Sequence, residues 1–426
     1  MTAAASVTTS AVAQGSGPPG AATRHRYVFG FWVAAFAFLV NMGFSAVPTP
    51  LYVLYQRRDH FSTFMITVVY AVYAVGVIAS LFLAGHVSDW IGRKRILVPA
   101  LLVNVAGAAV FLLAPSLAGL LIARVISGVS VGLTTATATA YLAELHAGIS
   151  VTEPQHSARR AQVVATAANL GGIGLGPLAA GLLAQFAPQP LRLPYVVFGA
   201  VLVLLAALVA VSPETVRRPN PAPAWRPQRI AVPASARPVF YGATAVGFAA
   251  FAVYGVFNSL APSFLAGTLH ESSLAVAGAV AFAAFAAGAL AQIALGRVGL
   301  RPTLRAGVLI LIPGLALLVG GMWLPSLAMF VIGGVASGAG AGLAFRGALV
   351  AAGGTARPES RAEVMAGFFL GSYVGLSVPV VGLGIATQYA PARDVMLVFV
   401  AIVALAIAVS VRTVVGRVGR STEGRM

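Results

Sequence analysis

Twelve long runs of apolar residues dominate this chain and restrict what it can fold into. A helix that rises about 1.5 Å per residue needs about 20 residues to cross the hydrocarbon core of a bilayer, which is about 30 Å thick. The runs have that length, and charged or turn residues separate them. Their approximate limits are 27 to 50, 64 to 85, 96 to 114, 118 to 141, 161 to 186, 193 to 212, 239 to 262, 275 to 296, 304 to 323, 326 to 350, 362 to 388 and 391 to 412. They lack the two-residue alternation of transmembrane β-strands, so the sequence predicts an all-α membrane protein with twelve transmembrane helices.

The composition excludes an ordinary soluble protein. Hydrophobic residues make up 59% of the 426 residues and charged residues only 9%, whereas soluble proteins carry about 25% charged residues. A soluble globule built from this chain could not cover its surface with polar groups. A mainly disordered chain is excluded because disorder requires few apolar residues. The chain has no cysteine, which excludes disulfides, thiolate metal sites and cysteine nucleophiles.

Basic residues are distributed unevenly between alternate loops. With both termini on one side, the tails and the loops of that side hold 21 of the 27 bases, and the opposite loops hold four. Because cytoplasmic loops carry an excess of arginine and lysine, this asymmetry predicts cytoplasmic termini and an even number of spans. We expect a multi-pass protein of the bacterial inner membrane. The net charge of +17 then reflects topology and does not indicate a nucleic-acid partner.

The longest internal break divides the chain into two halves. It contains seven prolines and five arginines in 26 residues, a composition that cannot form a regular helix. The predicted parts are a disordered cytoplasmic tail at 1–26, a six-helix bundle at 27–212, a cytoplasmic linker at 213–238, a second six-helix bundle at 239–412 and a cytoplasmic tail at 413–426. The motif Ser127-Gly128-x-x-x-Gly132-Leu133 of span four recurs as Ser337-Gly338-x-x-x-Gly342-Leu343 in span ten. This recurrence favours a six-plus-six duplication, in which two bundles rock about a central site.

The loop between spans two and three combines glycines with an acid and several bases. It reads Gly85-His86-Val87-Ser88-Asp89-Trp90-Ile91-Gly92-Arg93-Lys94-Arg95. Glycines allow a tight turn there, and opposite charges at the membrane face can form a switchable ion-pair latch. The segment resembles the signature G-x-x-x-D-R-x-G-R-R/K of the major facilitator superfamily, although Trp90 replaces a base. The resemblance implies a cytoplasmic gate motif formed by Gly85, Asp89, Gly92, Arg93 and Lys94, which we expect Glu363 of span eleven to join.

Span four carries an arginine seven residues inside its apolar run. Placing Arg124 at that depth costs about 2.5–3.5 kcal/mol on insertion scales, so we expect it to face a cavity or a partner. Snorkelling to the outer face is the alternative. The pattern Arg124-x-x-x-Gly128-x-x-x-Gly132 resembles the second motif of the superfamily. That resemblance makes Arg124 the candidate for proton coupling.

Span five carries closely spaced glycines around a proline. Glycines four residues apart let helices touch backbone to backbone, and the proline weakens the helix locally. The segment from Gly172 to Gly181 is similar to G-x-x-x-G-P-x-x-G-G, which marks antiporters within the superfamily, with Ala180 in place of one glycine. Its key residues would be Gly172, Gly176, Pro177 and Gly181. General small-residue packing is the alternative explanation.

Two further features bear on the type of transporter. Span one ends with Val47-Pro48-Thr49-Pro50, which resembles the P-x-P ending of span one in twelve-span drug exporters.

Polar residues within spans are candidates for a substrate cavity, because unpaired polar groups facing lipid are unfavourable. Since spans one, four, seven and ten line the cavity in the resembled family, we select Asn41, Thr134, Tyr254, Asn258 and Arg346.

These features together predict a secondary active transporter of the major facilitator fold. The chain has no Walker loop and no metal-ligand spacing, so we expect no ATP, cofactor or metal. All ten acids lie in or near loops or tails, and this favours a neutral or anionic amphipathic substrate. We predict a monomer that exports small amphipathic molecules by proton antiport, as in multidrug resistance. The alternatives are an importer of a sugar or organic acid and, less favoured, a membrane-embedded lipid-modifying enzyme.

Overall fold

The computed structural model describes residues 21–150, 154–216, 225–228, 232–356 and 361–423. Most of the predicted tail at 1–26 and much of the linker at 213–238 therefore lie outside the described residues. Within the described part every regular element is a helix. Their bounds are Ala21–Ala46 and Pro48–Asp59 (span one), Thr63–Ala84 (two), Ser88–Ile91, Arg93–Leu113 (three), Leu117–Ile149 (four), Pro154–Phe186 (five), Leu193–Val211 (six), the short 3₁₀ turn Ala234–Ala236, Arg237–Ser259 (seven), Ala261–Thr268, Leu274–Ala294 (eight), Leu300–Trp323 (nine), Leu327–Gly353 (ten), Arg361–Ala386 (eleven) and Ala392–Glu423 (twelve).

The predicted number of spans is confirmed. Twelve helices of the described chain are long and apolar enough to cross a membrane. Several of them extend beyond the predicted limits: span one begins at Ala21, span four ends at Ile149, span five begins at Pro154 and span twelve continues to Glu423. A hydropathy search measures only the apolar length, whereas helical hydrogen bonding continues past the bilayer surface. Residues of both predicted tails are therefore helical.

The spans form two bundles, each with its own apolar core. One core is built mainly from spans one to six and the other from spans seven to twelve. The glycine motif that recurs in spans four and ten makes equivalent contacts in both bundles. A Cβ on Gly128 would overlap the backbone of span two, and a Cβ on Gly338 would overlap the backbone of span eight. The close approach of these backbones explains why the same short sequence occurs twice.

Spans one and seven are both interrupted near the same face. Span one breaks at Val47, directly before Pro48, and the chain after span seven turns at Leu260 before Pro262. Proline lacks an amide donor and favours the first turn of a helix, so each short segment starts a new helix. The two breaks place corresponding residues of the two bundles next to each other, and Thr49 donates a hydrogen bond to the carbonyl of Asn258 at 2.9 Å.

Candidate functional site: a central cavity between two bundles

A large cavity lies between the bundles and has a volume of about 1350 Å³. We call the face formed by the loops around Gly85, Ser150, Pro213 and Gly354 the arginine-rich face. The cavity reaches that face, because Gly85 and Gly354 line its mouth. At its inner end it is lined by Arg124 and Asn258. The structure therefore has its central cavity open toward one side of the membrane.

On the opposite face the two bundles are in contact. Ser263 donates to the side-chain oxygen of Gln56 at 3.1 Å, and the amide of Leu274 donates to Gln185 at 3.0 Å. A Cβ on Gly384 of span eleven would overlap the side chain of Thr67 in span two. These contacts separate the inner end of the cavity from the opposite face.

Aromatic side chains form much of the cavity wall. They come from spans two, seven, eight, ten and eleven, and they are Tyr70, Tyr73, Phe251, Tyr254, Phe285, Phe345, Phe369 and Tyr373. Several are packed ring to ring; Tyr254 and Phe285, for example, are stacked with centroids 4.5 Å apart. Most of these residues were not selected from the sequence, because a phenylalanine in an apolar span is indistinguishable by composition from one that faces lipid. Tyr70 and Tyr73 were recognisable only as a pair on one helix face.

Arg124 is the only charged side chain among the described residues that line the cavity. It is 2% exposed, and its guanidinium donates to the carbonyl of Ser45 at 2.5 Å and to that of Tyr70 at 3.5 Å. It also lies over the ring of Tyr73, 4.5 Å from the centroid. Its Nε has no hydrogen-bond partner in the described structure. Arg124 therefore faces the interior without a carboxylate beside it and does not snorkel to the outer surface.

The predicted cavity residues divide into two groups. Tyr254 and Asn258 line the cavity; the hydroxyl of Tyr254 donates to the carbonyl of Gly338 at 2.9 Å, and Oδ1 of Asn258 has no partner among the described residues. Oδ1 of Asn258 is thus a buried acceptor that is unpaired in this conformation, which costs free energy.

Asn41, Thr134 and Arg346 were expected in the cavity wall, but they are not among the described residues that line this cavity. Asn41 donates to Thr134 at 2.9 Å and accepts from Asn104 at 2.9 Å, and all three are fully buried inside the first bundle. They form an interhelical hydrogen-bond cluster, in which only Oδ1 of Asn104 has no partner among the described residues. Arg346 instead donates to the carbonyls of Gln292 and Gly296, at 2.7 and 2.6 Å. These carbonyls lie at the C-terminal end of span eight, where a cation stabilises the helix dipole.

The residues of the gate motif converge at the arginine-rich face. Arg93 pairs with Asp89 at 2.5 Å and with Glu144 of span four at 2.7 Å. Its amide donates to Glu214 at 2.8 Å. Gly92 has a φ of +125°, a conformation that favours glycine, and a Cβ there would overlap the Glu214 carboxylate. The loop is thus held by two acids from outside the motif.

Three other charged residues are relevant to this face: Lys94, Glu363 and Glu144. Lys94 donates to the carbonyls of Ala210 and Ser212 and so covers the end of span six. Glu363 forms no hydrogen bond or ion pair with Asp89 or Arg93 within the described residues. Glu144 was not selected from the sequence; its position at the same end of span four as the loop was the available signal. In this conformation, with the cavity open, the gate motif is hydrogen bonded to spans four and six of the first bundle and to Glu214 directly after it.

The glycine-rich motif of span five has two different partners. Cβ atoms on Gly172 and Gly176 would overlap the carbonyls of Leu39 and Gly43 in span one, within the same bundle. A Cβ on Gly181 would instead overlap the backbone of Leu274 in span eight of the other bundle. The carbonyl of Pro177 lies against Gly278 of span eight in the same way. The motif therefore joins span five to its own bundle through Gly172 and Gly176 and to the second bundle through Gly174, Pro177 and Gly181.

Part of the linker also contacts the first bundle. The indole of Trp225 donates to the carbonyl of Leu83 at 2.9 Å, and the amide of Gln228 donates to that of Phe82 at 3.0 Å. Gln228 then lines the mouth of the cavity. Residues 225–228 of the linker therefore lie along the end of span two.

Comparisons with known proteins agree with this architecture. The sequence model described as Major Facilitator Superfamily matches residues 31–319. No curated protein sequence matches the chain. A crystal structure of a variant of the nucleoside transporter NupG is similar with a TM-score of 0.65 and 13% identity, covering 90% of this chain and 99% of that one. A bacterial homologue of the human lysosomal transporter Spinster, in an inward-facing and unoccupied conformation, is similar with a TM-score of 0.68 and 16% identity, covering 92% and 98%. At these identities the likeness shows the fold alone.

Proposed function

Because the chain belongs to the major facilitator superfamily, we propose that it is a secondary active transporter that exports small amphipathic molecules by proton antiport. The lining of the cavity supports this class of substrate: the wall is aromatic, and its described lining residues include one arginine and no carboxylate. Aromatic faces bind apolar bodies, and a buried guanidinium binds carboxylates or other anions. A neutral or anionic amphipath therefore fits this cavity better than a cation.

Alternating access is the mechanism we propose. The two bundles are in contact on one face and are separated by the cavity on the other. Rocking the bundles about the cavity would exchange the open and closed faces, so that a bound molecule crosses without a continuous pore. The positive-inside rule places the arginine-rich face in the cytoplasm, and both termini with it. In that orientation the structure receives substrate from the cytoplasm.

Export and proton coupling rest on the motifs. The span-five motif resembles that of antiporters, and Arg124 is the residue we assign to proton coupling through its influence on neighbouring groups. The gate residues Gly85, Asp89, Gly92, Arg93 and Lys94 would control closure of the arginine-rich face. We infer that the protein works as a monomer, because each bundle contributes directly to one cavity within a single chain.

Import is the second candidate. One protein of similar fold is a nucleoside transporter, and a cavity of this size would also hold a sugar or organic acid. The membrane-embedded enzyme is disfavoured by the family assignment. The direction of transport distinguishes export from import, because an exporter lowers the cellular content of its substrate and an importer raises it.

The test uses two fluorescent amphipaths of matched size, one anionic and one cationic. Cells with the wild-type protein, with Asp89→Asn and with neither are loaded and followed with and without an uncoupler. We expect the wild type to lower accumulation of the anionic dye and the uncoupler to abolish that difference. Higher accumulation with the wild type would establish import, and exclusion of the cationic dye alone would overturn the substrate class.

A further inference from the structure

A second groove lies on the outside of the first bundle, away from the central cavity. It has a volume of about 600 Å³ and is formed where span one begins, span four ends and span five begins. None of its lining residues also lines the central cavity. Span five contributes Arg159, Arg160, Val163 and Val164 to this groove, whereas Gln162 and Ala165 on its other side line the cavity. The groove is therefore separate from the proposed transport site.

The wall of the groove is apolar. Its apolar residues are Val28, Phe31, Trp32, Ile149, Val163 and Val164. Trp32 is 52% exposed, and Phe29 and Phe36 on the same span are also exposed. Their spacing of three and four residues places them on one side of the helix. Since tryptophan favours the boundary between headgroups and acyl chains, this side of span one faces lipid.

The edge of the groove is cationic. Arg159 and Arg160 supply its positive charge, and no acid occurs among its described lining residues. Both arginines are exposed, and neither has a hydrogen bond or ion pair with another described residue. In contrast, Arg93, Arg124 and Arg346 all donate to protein acceptors. The two guanidinium groups are thus available for an external anion at the membrane surface.

We propose that this groove binds an anionic phospholipid of the leaflet at the arginine-rich face. The lipid phosphate would contact Arg159 and Arg160, and an acyl chain would lie along Val28 and the exposed Trp32. Basic sites at a membrane surface attract anionic headgroups, which the negative surface potential concentrates there. A free soluble anion would explain the arginines but not the adjoining apolar wall. The inference is independent of the transported substrate and of its direction.

The test measures lipid binding by the full-length protein in neutral detergent. The probes are dioleoyl phosphatidylglycerol, its analogue with brominated acyl chains and the corresponding phosphatidylcholines. Native mass spectrometry gives the affinity, and bromine quenching of tryptophan fluorescence reports the position of the acyl chain. We expect tighter binding of phosphatidylglycerol than of phosphatidylcholine. Trp32→Phe should remove most of the quenching by brominated phosphatidylglycerol without weakening the binding.

The variants identify the headgroup site. Arg159→Gln with Arg160→Gln should weaken phosphatidylglycerol binding about fivefold for each arginine removed. Arg159→Lys with Arg160→Lys should retain most of it. The matched control is Arg297→Gln with Arg301→Gln, which removes two exposed arginines from the second half of the chain and should leave the affinity unchanged.

Two results would overturn the proposal. The first is equal phosphatidylglycerol affinity in the wild type and in the Arg159→Gln, Arg160→Gln variant. The second is displacement of the lipid by millimolar glycerol 3-phosphate with no contribution from the acyl chain, which would make the groove a soluble-anion site.

Discussion

At the scale of single residues, Arg124 has an unusual environment for a charge inside a membrane. Its partners are two backbone carbonyls and the faces of Tyr70 and Tyr73. Cation–π contacts contribute about 2 kcal/mol when they are desolvated, and Nε of Arg124 has no hydrogen-bond partner among the described residues. The cost of burying this charge is therefore offset in part. An anionic substrate that enters the cavity would offset the rest of the cost of burying the Arg124 charge. The arrangement favours a role in turnover over a role in holding the bundle together.

We predict that Arg124→Ala lowers transport about tenfold or more with normal membrane abundance, because losing a charge-assisted hydrogen bond costs about 1.5–3 kcal/mol. Arg124→Lys should retain part of the activity, since it keeps the charge but loses the planar group that stacks on Tyr73. Initial transport rates in proteoliposomes, normalised to protein content, measure both effects. Equal rates for the two variants and the wild type would show that Arg124 has no part in turnover.

Asp89 is largely exposed and pairs with Arg93. The pair lies beside Glu144, so Arg93 keeps one acid when Asp89 is lost. We expect Asp89→Asn to reduce transport severely while membrane abundance stays near normal, because the latch, and not the fold, depends on this carboxylate. Glu144→Gln is the comparison: the loss of this more enclosed partner should also lower thermal stability. Wild-type transport by Asp89→Asn would refute the latch.

At the scale of elements, span five packs on its own bundle along one side and on the second bundle along another. Gly176 packs on span one of the same bundle, and Gly181 packs on span eight of the other bundle. A large side chain at either position would force backbones apart, because no space exists for it between packed helices. The consequences differ because only the second contact must open and close during transport.

We therefore predict that Gly176→Leu reduces the amount of folded protein, whereas Gly181→Leu leaves a folded protein whose bundles cannot close on the opposite face. Membrane abundance and thermal unfolding measure the first effect. For the second, a preloaded fluorescent substrate is followed in energised and de-energised vesicles, and we expect lost pumping or leakage down the gradient. Gly171→Leu is the matched control, since a Cβ there would meet nothing within 4 Å. Unchanged pumping by a well-folded Gly181→Leu would remove the sealing role of this motif.

At the scale of the whole molecule, transport requires the closed face to separate. Gln56 and Ser263 are hydrogen bonded across it from different bundles, and the chain has no cysteine. We predict that Gln56→Cys with Ser263→Cys, joined by a short bifunctional thiol reagent that reduction can cleave, stops transport reversibly. Each single-cysteine variant treated in the same way is the control. Undiminished transport in the fully crosslinked protein would mean that this face does not open.

The sequence by itself determined the class of the protein, its twelve spans and the two-bundle fold. These features follow from local patterns: apolar length sets the spans, and a glycine motif repeated six spans later marks equivalent helices. The family resemblance also came from short motifs, because each occupies a single loop or helix. Glu214 and Glu144 illustrate the limit, since they hold the gate motif from distant parts of the chain.

Only the tertiary structure decided which polar residues reach the cavity. Asn41, Thr134 and Arg346 resemble Asn258 and Arg124 in sequence context, yet the first three are satisfied by neighbouring helices and carbonyls whereas the other two line the cavity. Helix rotation sets this difference, and it depends on how all the neighbouring spans pack. In a span that is apolar on every side, the sequence carries little information about rotation, because lipid and the bundle interior are equally apolar.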